Sequence, residues 1–199
     1  MIRPMLPPLR AASVAWYVTG RFYTTADKAT QDLGYFLHLQ GITGDLFDGA
    51  PGEQTAHFTF RSAPFKARPV TNGDLSLGLD ATGDFTLYLK RKPGASFDKP
   101  DSFSDGEPIA TFRRVSVVMG ATLSASQHAK QSELLSLNVF TAALIWSQEF
   151  EFRGARYDLK QLLPYGITQW GDASPTPLAA PAGFAQSFAF VGSAIALGK

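Results

Sequence analysis

Apolar and polar residues alternate in short runs along most of this chain. Ala56, Phe58 and Phe60 share one parity in residues 55–61, Phe85, Leu87 and Leu89 share one in residues 84–91, and the rhythm returns in residues 184–191. Successive side chains of a strand point to opposite faces of a sheet, so a period of two predicts half-buried β-strands. Residues 12–23 carry Val14, Trp16 and Val18 on one face, with Gly20 as a bulge or a point of close backbone approach. Residues 33–40 place Leu33, Tyr35, Leu37 and Leu39 on one face and Phe36, His38 and Gln40 on the other. Residues 109–118 are β-branched and aromatic, as a strand requires. Residues 133–146 fit a helical stripe and a strand equally well; strand is the expectation, because the neighbours are strands.

Turn chemistry separates these runs. Asn72-Gly73 is a tight-turn dipeptide, and residues 80–83 give a second hairpin signal between 74–79 and 84–91. Phe150 and Phe152 answer Tyr157 and Leu159 across a turn containing Gly154, which predicts a hairpin; one helical turn over 158–163 then ends at Pro164. Pro64 and Pro69 make residues 65–70 an edge strand or extended arm. Residues 41–53 read as a loop with Ile42, Leu46 and Phe47 tucked inward, residues 93–108 as a long polar loop, and residues 171–183 as a Pro/Ala-rich surface loop. The expected fold is all-β with little helix: an antiparallel β-barrel or two-sheet sandwich of about eight to ten strands. It occupies residues 1–199 as one domain, with 1–11 an irregular N-terminal arm.

Composition narrows the function classes. The 199 residues suit one domain, and sixteen Phe supply core side chains that need no hydrogen-bond partner. A net charge of +1 gives no reason to expect a nucleic-acid partner. Lys90-Arg91-Lys92 reads as a solvated strand end, and Arg113 and Arg114 point to opposite faces, so neither makes a basic patch. The absence of Cys excludes disulfides, thiolate nucleophiles and Cys-ligated metals. The first fifteen residues lack the apolar run of a signal peptide. The protein is then either cytoplasmic, or exported to a periplasmic setting with a signal removed, to which its Thr/Ser/Phe/Gly-rich strands lean. No stretch reaches the length of a transmembrane helix, and the alternating runs fall short of the strands of about 9–11 residues in an outer-membrane barrel, so a soluble protein is expected.

No catalytic motif stands out. His38, His57 and His128 have no metal-ligand spacing, and HExxH, G-x-S-x-G and phosphate-loop patterns are absent. An EF-hand frame begun at Asp101 fails at Phe103 and Phe112, where oxygen ligands belong. An irregular calcium site from Asp98, Asp101 and Asp105 is set against the simpler reading of a solvated loop with Asp/Ser turns. Glu149 and Glu151 share a strand face that looks to water. Neither cofactor nor metal is therefore expected. Gly20-Arg21-Phe22-Tyr23 is similar to the G-x-W-Y of lipocalins, with Phe in the place of Trp and no other lipocalin motif beside it.

The candidate site rests on polar groups amid apolar strands. His38 lies between Phe36 and Gln40, while His57 and Arg61 share a face with Thr59. Were these two strands paired, Phe36, His38, Gln40, His57 and Arg61 would line one cavity. The leading expectation is a non-catalytic binding protein for a small apolar ligand held in a barrel or sandwich. The alternatives are a cofactor-free isomerase or cyclase using a cavity histidine, and a structural or protein-interaction module. Catalytic residues and oligomeric state are not legible in the chain.

Overall fold

The computed structural model describes residues 7–66, 68–72, 75–79, 83–122 and 137–198. In chain order its elements are β1 (Val14–Thr24), β2 (Thr30–Leu39), β3 (Phe58–Ser62), β4 (Arg68–Asn72), β5 (Leu75–Leu79) and β6 (Asp84–Leu89). Then come β7 (Glu107–Thr122), β8 (Leu137–Ser147), β9 (Phe150–Phe152), β10 (Ala155–Tyr157), α1 (Leu159–Leu162), β11 (Ile167–Leu178) and β12 (Gln186–Ala196). Eight of these strands close into an antiparallel barrel. Round the wall they run β1, β2, β3, β6, β7, β8, β11, β12, and β12 returns to β1. Closure decides between the barrel and the sandwich, and it gives each of the eight a partner strand on both sides.

The period of two sorts the wall into an inner and an outer face. Trp16, Val18 and Phe22 of β1, Phe58 and Phe60 of β3, Phe85, Leu87 and Leu89 of β6, and Phe188 and Phe190 of β12 are buried. Their rings interlock edge to face, as in Trp16–Phe36 and Trp16–Phe112 at 5.5 Å and Phe36–Phe60 at 5.6 Å, the geometry that aromatic quadrupoles favour. Space for so many rings comes partly from two glycines. Gly20 and Gly34 face each other across β1 and β2; a Cβ on Gly20 would lie 2.2 Å from the Leu33 carbonyl oxygen and 2.9 Å from the Phe190 ring. The close approach expected at Gly20 is thus a paired one.

One end of the barrel is stoppered by the segment between β8 and β11. Phe150 and Phe152 of β9 pack on Phe58, with centroids 6.0 and 4.8 Å away, and Leu159 and Leu162 of α1 are fully buried beneath them. The β9–β10 hairpin has the expected place and a two-residue loop, Arg153-Gly154, with φ of 47° and 75°. Two left-handed residues give the turn whose twist suits a hairpin. The site of a Cβ at Gly154 is open, so the cost of substitution there is conformational only. Gly154→Val is expected to destabilise by about 1 kcal/mol in a urea melt. The helical turn follows as the sequence predicts: Asp158 caps it by accepting from the Lys160 N–H at 2.9 Å, and Leu163 is its last position before Pro164.

Four expectations are corrected. Residues 74–79 and 84–91 do not form a hairpin, because β5 and β6 lie end to end along one edge of β7, both antiparallel to it. Gly83, at φ 130°, keeps the chain on that track by accepting from the Arg114 N–H at 3.1 Å. Residues 171–183 are not simply a loop, since β11 runs on to Leu178 through Pro175 and Pro177. Its ladder to β8 ends at Asp172, so the prolines fall where only β12 pairs and the register breaks. The 93–108 segment is solvated only in part: Asp98, Asp101 and Asp105 are exposed, but Phe103 is fully buried, and with Tyr23, Leu33, Ala95 and Phe97 it forms a second apolar cluster on the outer wall. Lys90 is not a solvated strand end either; its buried ammonium donates to Ser102 O at 2.7 Å and pairs with Asp105. Residues 65–70 contribute to β4, which pairs with β5 outside the closed ring, and 137–147 is strand as expected. Most of the Asp80–Gly83 turn, Gly73 and His128 lie outside the described residues.

Candidate functional site

The five residues singled out from sequence are dispersed. Phe36 points into the barrel and is buried. His38 and Gln40 are exposed on the outside, hydrogen-bonded to one another at 3.0 Å. The reason is a bulge: Phe36 lies opposite Val18 and His38 opposite Tyr17, so Leu37 is the extra residue, and both it and His38 face outward. A strict alternation across residues 33–40 cannot foresee that change of parity.

His57 and Arg61 do share a face with Thr59, and it is the outer face of β3. His57 donates from Nδ1 to Lys90 O at 2.8 Å, and its Nε2 lies 3.0 Å from Asp48, off the line of a good hydrogen bond. Thr59 donates to Phe103 O at 2.7 Å, and Arg61 reaches Asp101 at 2.6 Å and Ser104 at 3.2 Å. These polar groups fasten the loops over residues 41–56 and 93–106 to the wall. Asp101 and Asp105 are committed to Arg61 and Lys90, and among the described residues no three His, Asp or Glu converge as metal ligands. Glu149 and Glu151 are exposed.

The polar chemistry of the interior comes from residues that the sequence reading passed over. Asp32 of β2 and Arg114 of β7 are each about 95% buried, and a single guanidinium nitrogen, Nη2, donates to both carboxylate oxygens at 2.7 and 2.8 Å. Phe65, Phe85 and Phe140 surround the Arg114 guanidinium at 5.3, 5.2 and 4.8 Å. Nearby, Trp16 Nε1 donates to Gln169 Oε1 at 2.8 Å. Trp16, Asp32, Arg114 and Gln169 line one void with Val18, Phe36, Phe60, Phe85 and Phe140. The space open to the centre of a water-sized sphere is about 10 Å³, room for one water. Arg114 Nη1 has no acceptor among the described residues. A usable signal was present: Arg114 has the parity of Phe112 and Ala110, Asp32 that of Phe36, and Gln169 that of Ile167. A polar residue at an inward position of an alternating run marks such a site.

Comparison with protein-family models, curated proteins and solved structures finds no match.

Three surface carboxylates carry a pH dependence. Lys66 holds Asp27 down to about 2, the His57 contact lowers Asp48, and the Arg113 fork lowers Asp84. A carboxylate with a lowered folded-state value stabilises above the ordinary value of 3.8, and loses that contribution as pH falls through its own. The urea midpoint is expected to fall between about pH 5 and about pH 2, and to fall less steeply in Asp84→Asn, which lacks one of the three titrations. Equal slopes for the two proteins would remove the Asp84–Arg113 pair from the account.

Proposed function

We propose that this protein binds a small, largely apolar ligand inside the barrel and performs no chemistry on it. The observation that carries this is the Asp32–Arg114 pair, with Trp16 and Gln169, beside a void in an otherwise aromatic interior. A buried ion pair is weak evidence of stabilisation, because taking two charges out of water costs several kcal/mol. A mostly apolar enclosure with a few convergent polar groups is, however, the usual form of a small-molecule site. No histidine lines this void among the described residues, so a catalytic imidazole gains no support. The void as it stands accepts one water, so a larger ligand requires the rings that line it to rotate.

Two measurements test this. Native mass spectrometry of freshly purified protein should show an adduct that organic extraction removes. The Trp16 indole N–H signal should also move, saturably, when a small hydrocarbon such as ethylbenzene is added. A bare mass together with an unmoved Trp16 signal would mean that the core is simply filled. A second reading would then lead. Val139, Trp170 and Tyr17 lie in one cross-strand row on the outer wall, and Trp170 is 60% exposed. Such a row suits a protein-interaction module.

A further inference from the structure

The hydrogen bonds already made in the void define what it lacks. An indole N–H only donates, so the Gln169 atom facing Trp16 is its oxygen, and the amide N–H₂ is directed elsewhere. That nitrogen lies towards β12, where a Cβ on Gly192 would sit 3.0 Å from it. Arg114 approaches Asp32 end-on through Nη2, which occupies both carboxylate oxygens and leaves Nη1 idle. Among the described residues the sealed donor of this void without a partner is therefore Arg114 Nη1, and a buried orphan N–H is costlier and rarer than a spare lone pair.

Charge supplies the second constraint. Asp32 and Arg114 cancel within the aromatic cage, so an anionic ligand would bring in a charge with no partner. We propose that the barrel selects a neutral ligand carrying a hydrogen-bond acceptor, of which a ketone or ester carbonyl is the simplest class. Its oxygen takes a hydrogen from Arg114 Nη1, with Gln169 a second polar group on the same lining, and its hydrocarbon part lies among Phe36, Phe60, Phe85 and Phe140. This deepens the ligand-binding reading above and rests on it.

The probes are three molecules of like size: acetophenone, ethylbenzene and benzoate. The protein has three Trp, so a ¹⁵N spectrum contains three indole signals, and Trp16→Phe assigns the interior one. Acetophenone should shift that signal with a Kd at least about tenfold below that of ethylbenzene, and benzoate should leave it in place. In Asp32→Leu/Arg114→Met, ethylbenzene should still bind and the preference for acetophenone should shrink to within about twofold. Gln169→Met, which leaves the ion pair intact, should reduce the preference too and covers the case in which the double variant does not fold. Equal affinity for acetophenone and ethylbenzene, tighter binding of benzoate, or a preference that survives the substitutions overturns acceptor selection and leaves the apolar-ligand reading standing. No movement of the Trp16 signal with any probe overturns both.

Discussion

Gly34→Ala is expected to destabilise the barrel by about 3 kcal/mol or more, and Gly34→Val to leave little folded protein. A Cβ at this position would lie 2.1 Å from the Thr19 carbonyl oxygen and 2.6 Å from the Gly20 Cα. Both are backbone atoms of β1, held by ladders to β2 on one side and β12 on the other, so neither can move without parting a strand pair. The contrast with Gly154 is physical. There the cost is one residue's backbone preference, whereas here two strands must separate. Gly52→Ala is the control, since its Cβ would meet nothing closer than Thr55 Oγ1 at 3.9 Å, and its stability in a urea melt should stay within about 0.5 kcal/mol of the parent. A Gly34→Ala protein that melts with the parent would show that β1 and β2 do not meet in this register.

Arg114→Met is the second large effect, expected to cost about 3–5 kcal/mol, because the Asp32 carboxyl would be left in an aromatic interior without its partner. Removing both charges should recover most of that loss: Asp32→Leu/Arg114→Met is expected within about 1–2 kcal/mol of the parent, on either side. The cycle of single and double variants, read by denaturant unfolding, measures the coupling directly. Additive losses would mean that the two side chains do not interact in solution. The ion pair would then belong to binding no more than to folding.

What the chain made legible follows from how far each signal reaches. The 150–157 hairpin is local: alternating Phe residues, a glycine where positive φ is required, and an aromatic answer on the return strand. The inward set of β3, β6 and β12 is likewise visible in their parity. The site was not, for two reasons. The bulge at Leu37 changes parity within β2 and turns His38 outward, and nothing in residues 33–40 announces it. Asp32 and Arg114 stand 82 residues apart, and they meet only because barrel closure brings β2 and β7 to face each other across the interior. Gly83 misled for a related reason, since a glycine that lets a strand continue past an irregularity has the same composition as one that reverses it.

The seam between β1 and β12 has a consequence for how this molecule is made. The first strand of the barrel pairs over ten positions with its last, so Val14 finds Ile195 only after all the strands between them have been made. Ordering that much chain before its contacts are rewarded slows the search. Until then, β1 and β11 each present an unmated row of amide and carbonyl groups next to a Phe-rich interior, a surface on which nascent copies adhere to one another. The arrangement that closes the finished barrel thus leaves its precursor with two edges.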